Sequence, residues 1–296
     1  MHSSLRGLLF TMALFGSVSC STGHAGQTPA QAPTGGGTAT GGTAAANGGT
    51  GGQSAAGAGG ISIESTGGAT STHVFPDTVT APRIMIVGDS ISAGPGCYKK
   101  YLLQNLQNNG YTKFEFVGQY ADDCGGGVKH SAVSCTTSYN YTQATFTVPN
   151  CDSNTYPGLT TLVATHNPDL IMLQLGVNDV WSGSAPIQPI LNNYTELVRQ
   201  ARAHNARVVV VVAQIHKIIT DNCTNTASTT NAEQLVNAVP AWAKSVTTAD
   251  SPVLVADLWT NSDAHESADC VHPNDAGAQR MGLNWYNTLK ALLPKG

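Results

Sequence analysis

Five short apolar runs separated by stretches of helical periodicity organise the C-terminal three-quarters of the chain. Arg83-Ile84-Met85-Ile86-Val87 is the first, and Phe114 to Val117 the second. Asp169 to Leu175, Arg207 to Ala213 with its five consecutive valines, and Val253 to Asp257 follow. Unbroken runs of this length mark strands covered on both faces. Between them Tyr98, Tyr101, Leu102 and Leu106 fall at helical spacing, which predicts a helix from Tyr98 to Asn109 closed by Gly110. Further helices are predicted over Leu159 to Thr165, Ile187 to His204, Thr229 to Val246 with a kink at Pro240, and Asn274 to Leu293. Asn274 is the candidate N-cap of the last, with Asp275 in its first turn. The alternation at Tyr141 to Val148 predicts a small hairpin arm. Regular exchange of strand and helix implies an α/β fold, a parallel sheet with helices on both faces, whose ligands bind beyond the carboxyl ends of the strands.

The first 80 residues are of another kind. Arg6, an apolar stretch from Leu8 to Phe15, and small residues up to Cys20 form an export signal over residues 1–20. Cys20 after small residues resembles a bacterial lipoprotein cleavage site, although Ser17 stands where leucine is usual. Lipidation of Cys20 would tether the mature chain to a membrane without spanning it. Ser21 to Thr72 is Gly-, Ala- and Thr-rich, holds half of the 32 glycines, and has Glu64 as its only charged residue. It cannot bury enough apolar surface to offset its ordering entropy, so residues 21–80 are read as a tether and 81–296 as the folded domain. A net charge of -4 with no basic block excludes electrostatic binding of nucleic acid. Cys20 aside, the remaining cysteines are Cys97, Cys124, Cys135, Cys151, Cys223 and Cys270. Behind an export signal an even number implies disulfides, and the sequence leaves their pairing open.

Three motifs lie where the ligand rule puts a site. Gly88-Asp89-Ser90 follows the first run, Gly176-Val177-Asn178-Asp179 follows the third, and Asp269-Cys270-Val271-His272 lies between the fifth and the last helix. A serine hydroxyl is a weak nucleophile until a base takes its proton. Histidine titrates near ~6.5 in model peptides, and His272 is the candidate base. Asp269, three residues away, can hold the imidazole in one tautomer and stabilise its cation. Asn178 offers a side-chain amide, and Ser90 its own N–H, to the oxyanion of a tetrahedral intermediate. The plain alternatives are a turn serine at Ser90 and turn or cap roles for Asn178, Asp179 and Asp269. His216 reads as a core or rim histidine, His130 and His265 as surface residues, and Trp181 as either packing or a sugar-stacking wall.

Together these segments resemble the SGNH (GDSL-type) hydrolases. Ile84 to Gly94 is similar to their first block, Gly176 to Asp179 to the asparagine block, and Asp269 to His272 to the closing Asp-x-x-His block. Phe116-Val117-Gly118 and His166-Asn167-Pro168-Asp169 are similar to carbohydrate esterase family three, whose members are mainly acetyl xylan esterases. The resemblance covers about Ala81 to the C-terminus and implies a three-layer α/β/α sandwich of flavodoxin-like kind. It implies Ser90 as nucleophile, His272 as base, Asp269 as its partner and Asn178 as oxyanion donor, with no metal or cofactor. The class also has a glycine after the second strand whose N–H completes the oxyanion hole. Here the local match, His130 to Cys135, puts Cys135 at that place.

The expected activity is a secreted or cell-envelope-anchored serine esterase, monomeric, removing acetyl groups from a polysaccharide such as xylan. The alternatives are an esterase or lipase on other small acyl esters, and a non-catalytic carbohydrate-binding surface module. There is no Gly-x-Ser-x-Gly elbow, His-Glu-x-x-His or Walker loop to support another enzyme class.

Overall fold

In chain order the elements are β1 (Arg83–Gly88), α1 (Ser90–Ala93), α2 (Tyr98–Asn108), β2 (Glu115–Val117), β3 (Tyr120–Ala121), β4 (Lys129–His130), α3 (Ser138–Thr142), β5 (Thr145–Thr147), β6 (Thr155–Pro157), α4 (Leu159–His166), β7 (Leu170–Gln174), α5 (Val177–Trp181), α6 (Ile187–His204), β8 (Val209–Gln214), α7 (Thr226–Val246), β9 (Val253–Asp257) and α8 (Asp275–Leu289). They come from a computed structural model that describes residues 74–296 apart from 95, 122–123, 125, 182–185, 219–225 and 264–265. All of these belong to the compact unit Glu64–Gly296. The export signal, Cys20, the glycine-rich tether up to residue 73, Cys223 and His265 lie outside the described residues.

The five apolar runs are the five strands of one parallel sheet, ordered β2-β1-β7-β8-β9. β7 is buried at every position, and β1 and β8 at all but one end residue. That is why these runs carry no polar alternation. Right-handed crossovers require the helices to change face where the strand order reverses. The chain steps from β1 to β2 through α2, then returns past β1 to β7 and continues outward through α6 and α7. α2 accordingly packs on α8, while α4, α6 and α7 form the opposite layer. The result is a three-layer α/β/α sandwich whose switch point lies between β1 and β7, with Gly88 in register with Gln174. The crevice beyond those two strand ends is where such a sheet binds its ligand.

Local differences from the sequence reading have simple causes. Tyr141 to Val148 is not a complete hairpin arm. Residues 138–142 are a helical turn closed by a reciprocal capping box between Thr137 and Asn140, and only Thr145–Thr147 is strand, paired antiparallel with Thr155–Pro157. α7 runs on through Pro240. Asn274 caps α8 as expected, its side chain accepting from Gly277 N at 3.0 Å. Residues 74–80, assigned to the tether, include Phe75, which is buried in the core.

Candidate active site

Ser90 begins α1 immediately beyond β1. Gly88 is needed for that turn, because a Cβ there would come within 2.6 Å of Ser92 Oγ and 2.9 Å of the Gln174 carbonyl. Asp89 caps α1 by accepting from Ile91 N at 2.9 Å, which turns the Ser90 hydroxyl to the strand end.

The closing motif meets it from the other side of the chain. His272 Nε2 lies 2.9 Å from Ser90 Oγ, and His272 Nδ1 lies 2.8 Å from Asp269 Oδ2. A carboxylate only accepts, so Nδ1 carries the proton and Nε2 is left as an acceptor for the serine hydroxyl. Asp269 Oδ1 also accepts from His272 N at 2.8 Å and Val271 N at 3.2 Å, which folds the motif into one tight turn with Cys270 in the left-handed region at φ 76°. Partial burial alone would lift the Asp269 carboxyl. The bonds from the His272 backbone and ring bring it below the usual carboxylate range, and a charge on that ring acts in the same direction. The Asp269 side chain is 57% exposed, so this pair orients the ring more than it stabilises the fold.

The third wall is the segment between β4 and α3. Ser131 N and Val133 N donate to the Ile86 and Gly88 carbonyls, so this segment continues the sheet edge beyond the end of β2. Asn178, in α5 just beyond β7, donates one amide hydrogen to the Thr136 carbonyl at 2.9 Å. Among the described residues its second amide hydrogen meets no acceptor. Asp179 accepts from Ser138 N at 2.9 Å and Ser138 Oγ at 2.5 Å, and Thr136 Oγ1 lies 3.3 Å from the Gly88 carbonyl. Cys135 stands at φ 63°, a conformation that favours glycine, and is disulfide-bonded to Cys151. The backbone thus shows why a glycine suits this place. Among the described residues the Cys135 N–H meets no acceptor. Cys97 is bonded to Cys124, and Cys270 is disulfide-bonded too.

Two histidines differ from expectation or sharpen it. His130, read as a surface residue, is 4% exposed: β4 pairs it with Tyr120, the two rings pack together, and its Nδ1 accepts from Ala132 N at 3.2 Å. His216 is buried at the end of β8 and donates from Nε2 to the Val271 carbonyl at 2.6 Å, fastening the loop that carries Asp269 and His272. Burial holds it neutral, and the nearby His272 charge acts in the same direction. Trp181 ends α5 and is partly buried against the core.

A model of the GDSL-like Lipase/Acylhydrolase family matches residues 86–280, which contain all three motifs. The chain belongs to this family. Among characterised relatives, a multidomain esterase of Ruminococcus flavefaciens is 26% identical over 228 residues, 71% of this chain; the chain spans only 29% of that protein's length. Among solved structures, a mutant acetyl esterase holding an acetate ion is 25% identical with a TM-score of 0.60, covering 71% of this chain and 96% of that one. A carbohydrate esterase family 3 protein of Talaromyces cellulolyticus is 26% identical, with the same TM-score and the same coverages.

In this GDSL-like protein the aspartate before the serine has a marked electrostatic cost. Asp89 is fully buried, and burial lifts its pKa from 3.8 to about 7, with the nearby Asp179 adding to the rise and the Ile91 N–H opposing it. One carboxylate oxygen has no hydrogen-bond partner. The folded state therefore binds this proton more tightly than the unfolded chain does. The stabilisation is complete below pH 3.8 and disappears as pH rises through about 7. Asp89→Asn should keep the cap and lose that dependence. Thermal unfolding from pH 4 to pH 8 should show the variant gaining on the parent protein as pH rises, by roughly 2–4 kcal/mol across the window. A constant difference between the two would mean that Asp89 is charged throughout.

Proposed function

We propose that this protein is a secreted serine esterase that removes acetyl groups from a polysaccharide such as xylan. The observation that carries the reading is the unbroken relay from Asp269 through His272 to the Ser90 hydroxyl. His272 Nε2 takes the hydroxyl proton as Ser90 Oγ attacks the ester carbonyl, and the Asp269 carboxylate balances the imidazolium that forms. The oxyanion is met by the Ser90 and Cys135 N–H groups and the second amide hydrogen of Asn178. His272 then returns the proton to the leaving alcohol, and an acetyl-Ser90 ester remains. Water, deprotonated by the same imidazole, releases acetate and restores the serine.

Acetyl as the acyl group is supported by the acetyl esterase neighbour that holds acetate, and carbohydrate as the alcohol by the family 3 neighbour. Export is supported by the signal-like N-terminus and the disulfides, with Cys20 as the proposed lipid anchor. An ester panel tests the reading. Purified protein should hydrolyse 4-nitrophenyl acetate much faster than the octanoate and should release acetate from acetylated xylan. Preference for the long acyl chain, or xylan left acetylated, would move the assignment to other small esters.

A further inference from the structure

An open cleft of about 680 Å³ lies between the β3–β4 ribbon and the β5–β6 hairpin. Its inner wall is Ala93, one helical turn after Ser90 on α1, together with Val133 and Ser134, which lead into Cys135. The outer walls carry Tyr120, Asp152, Asn154 and Tyr156. The cleft therefore opens directly from the nucleophile's helix and the oxyanion segment.

Its lining has one chemical character. Tyr120 is 38% exposed, so part of its ring is open for a ligand to pack on. The Tyr156 hydroxyl donates to Asp152 Oδ2 at 2.5 Å, and Asn154 N donates to Oδ1 at 2.8 Å. The Tyr156 bond, reinforced by Asn154, holds the Asp152 carboxyl below its usual range, so it is an anion at neutral pH. His130 is kept uncharged, down to about 4, by burial and by the Lys99 charge. Rings beside a carboxylate and a carboxamide, with no lysine or arginine among the described lining residues, suit a neutral polyol: apolar C–H faces pack on the rings and hydroxyls donate to the carboxylate.

The walls are also fixed to the site. Cys151, next to Asp152, is disulfide-bonded to Cys135, next to Ser134. Tyr156 stacks on Phe146, Phe146 meets Tyr141 edge-on, and the Tyr141 hydroxyl lies 3.0 Å from the Gly88 carbonyl. Both connections tie the hairpin to the groups around Ser90.

We propose that this cleft is the subsite for the alcohol half of the substrate, a neutral pyranose unit bearing the acyl group, with Tyr120 and Tyr156 as its stacking surface and Asp152 and Asn154 as its hydroxyl partners. This rests on the esterase reading for its chemistry and adds where the sugar is held.

The test compares Tyr120→Ala, Asp152→Ala and Tyr120→Phe in the full chain on two esters, an acetylated xylo-oligosaccharide and 4-nitrophenyl acetate. Tyr120→Ala and Asp152→Ala should lower kcat/KM on the oligosaccharide roughly tenfold or more, chiefly through KM. Turnover of 4-nitrophenyl acetate should stay within about twofold, and Tyr120→Phe should retain most of the oligosaccharide activity. Equal losses on both esters would overturn the proposal, as would unchanged oligosaccharide kinetics or a selective effect on acyl-chain length. If the parent protein hydrolyses no ester at all, the esterase reading fails separately. Calorimetry with deacetylated xylo-oligosaccharide then decides the cleft: binding that Asp152→Ala weakens supports it, and binding that is absent or unchanged overturns it.

Discussion

Ser90→Ala is expected to abolish ester hydrolysis and leave the fold in place. The Ser90 hydroxyl has its hydrogen bond with His272 Nε2, and α1 keeps its Asp89 cap without it. Removing one member of such a relay lowers turnover by roughly 10⁴- to 10⁶-fold, because the remaining members have nothing to activate. For the same reason the effects are not additive: Ser90→Ala combined with His272→Ala should be no slower than either change alone, and Asp269→Asn should be the mildest of the three. Kinetics on 4-nitrophenyl acetate, with thermal unfolding to establish that each variant is folded, provide the measurement. Turnover within tenfold of the parent in folded Ser90→Ala would remove Ser90 from the mechanism.

Next in size is the effect expected at Asn178. Losing one oxyanion donor costs roughly 10²–10³ in turnover. Asn178→Ala should show a loss of that size in kcat with little change in KM, because the donor acts on charge that develops only in the transition state. The change also removes the bond to the Thr136 carbonyl, so Asn178→Asp is the informative partner variant: it keeps the shape but presents an acceptor to both the carbonyl and the oxyanion, and should be at least as slow. Cys135 should behave differently, since its proposed donor is the backbone. Both Cys135→Gly and Cys135→Ala lose the disulfide to Cys151, but only glycine is at ease at φ 63°. The glycine variant should therefore be more stable than the alanine variant by roughly 1 kcal/mol, and the more active of the two. Cys151→Ala, which breaks the same bond from the far side, isolates the disulfide's share. Wild-type turnover in Asn178→Ala would assign the donor elsewhere around Ser90.

What could be read along the chain was whatever depends on short-range pattern. Unbroken apolar runs such as Ile84 to Val87 and Val208 to Val212 identify buried strands, because both faces of the sheet are covered by helices. Alternation with helical segments then implies the parallel sheet, and the position of Ser90, Asn178 and His272 just after strands or before the last helix implies that they share one end of it. Tyr141 to Val148 is only in part the arm its alternation implies: Thr145–Thr147 pairs as a strand, while the Thr137–Asn140 capping box holds Tyr141 and Thr142 in a helical turn.

Contacts between distant segments were decided by the tertiary structure alone. That Ser90 and His272, 182 residues apart, meet at 2.9 Å depends on the order in which β1, β7, β8 and β9 are laid side by side. His130, expected at the surface, is buried because β3 and the Tyr120 ring cover it. The anchors of the site were equally hidden: Ser138 on Asp179, His216 on the Val271 carbonyl, and the Cys135–Cys151 bond that ties the segment between β4 and α3 to the loop between β5 and β6. A single chain specifies local periodicity through its own backbone and side-chain geometry, whereas a hydrogen bond or disulfide between remote residues exists only once packing of the whole core has brought them within reach.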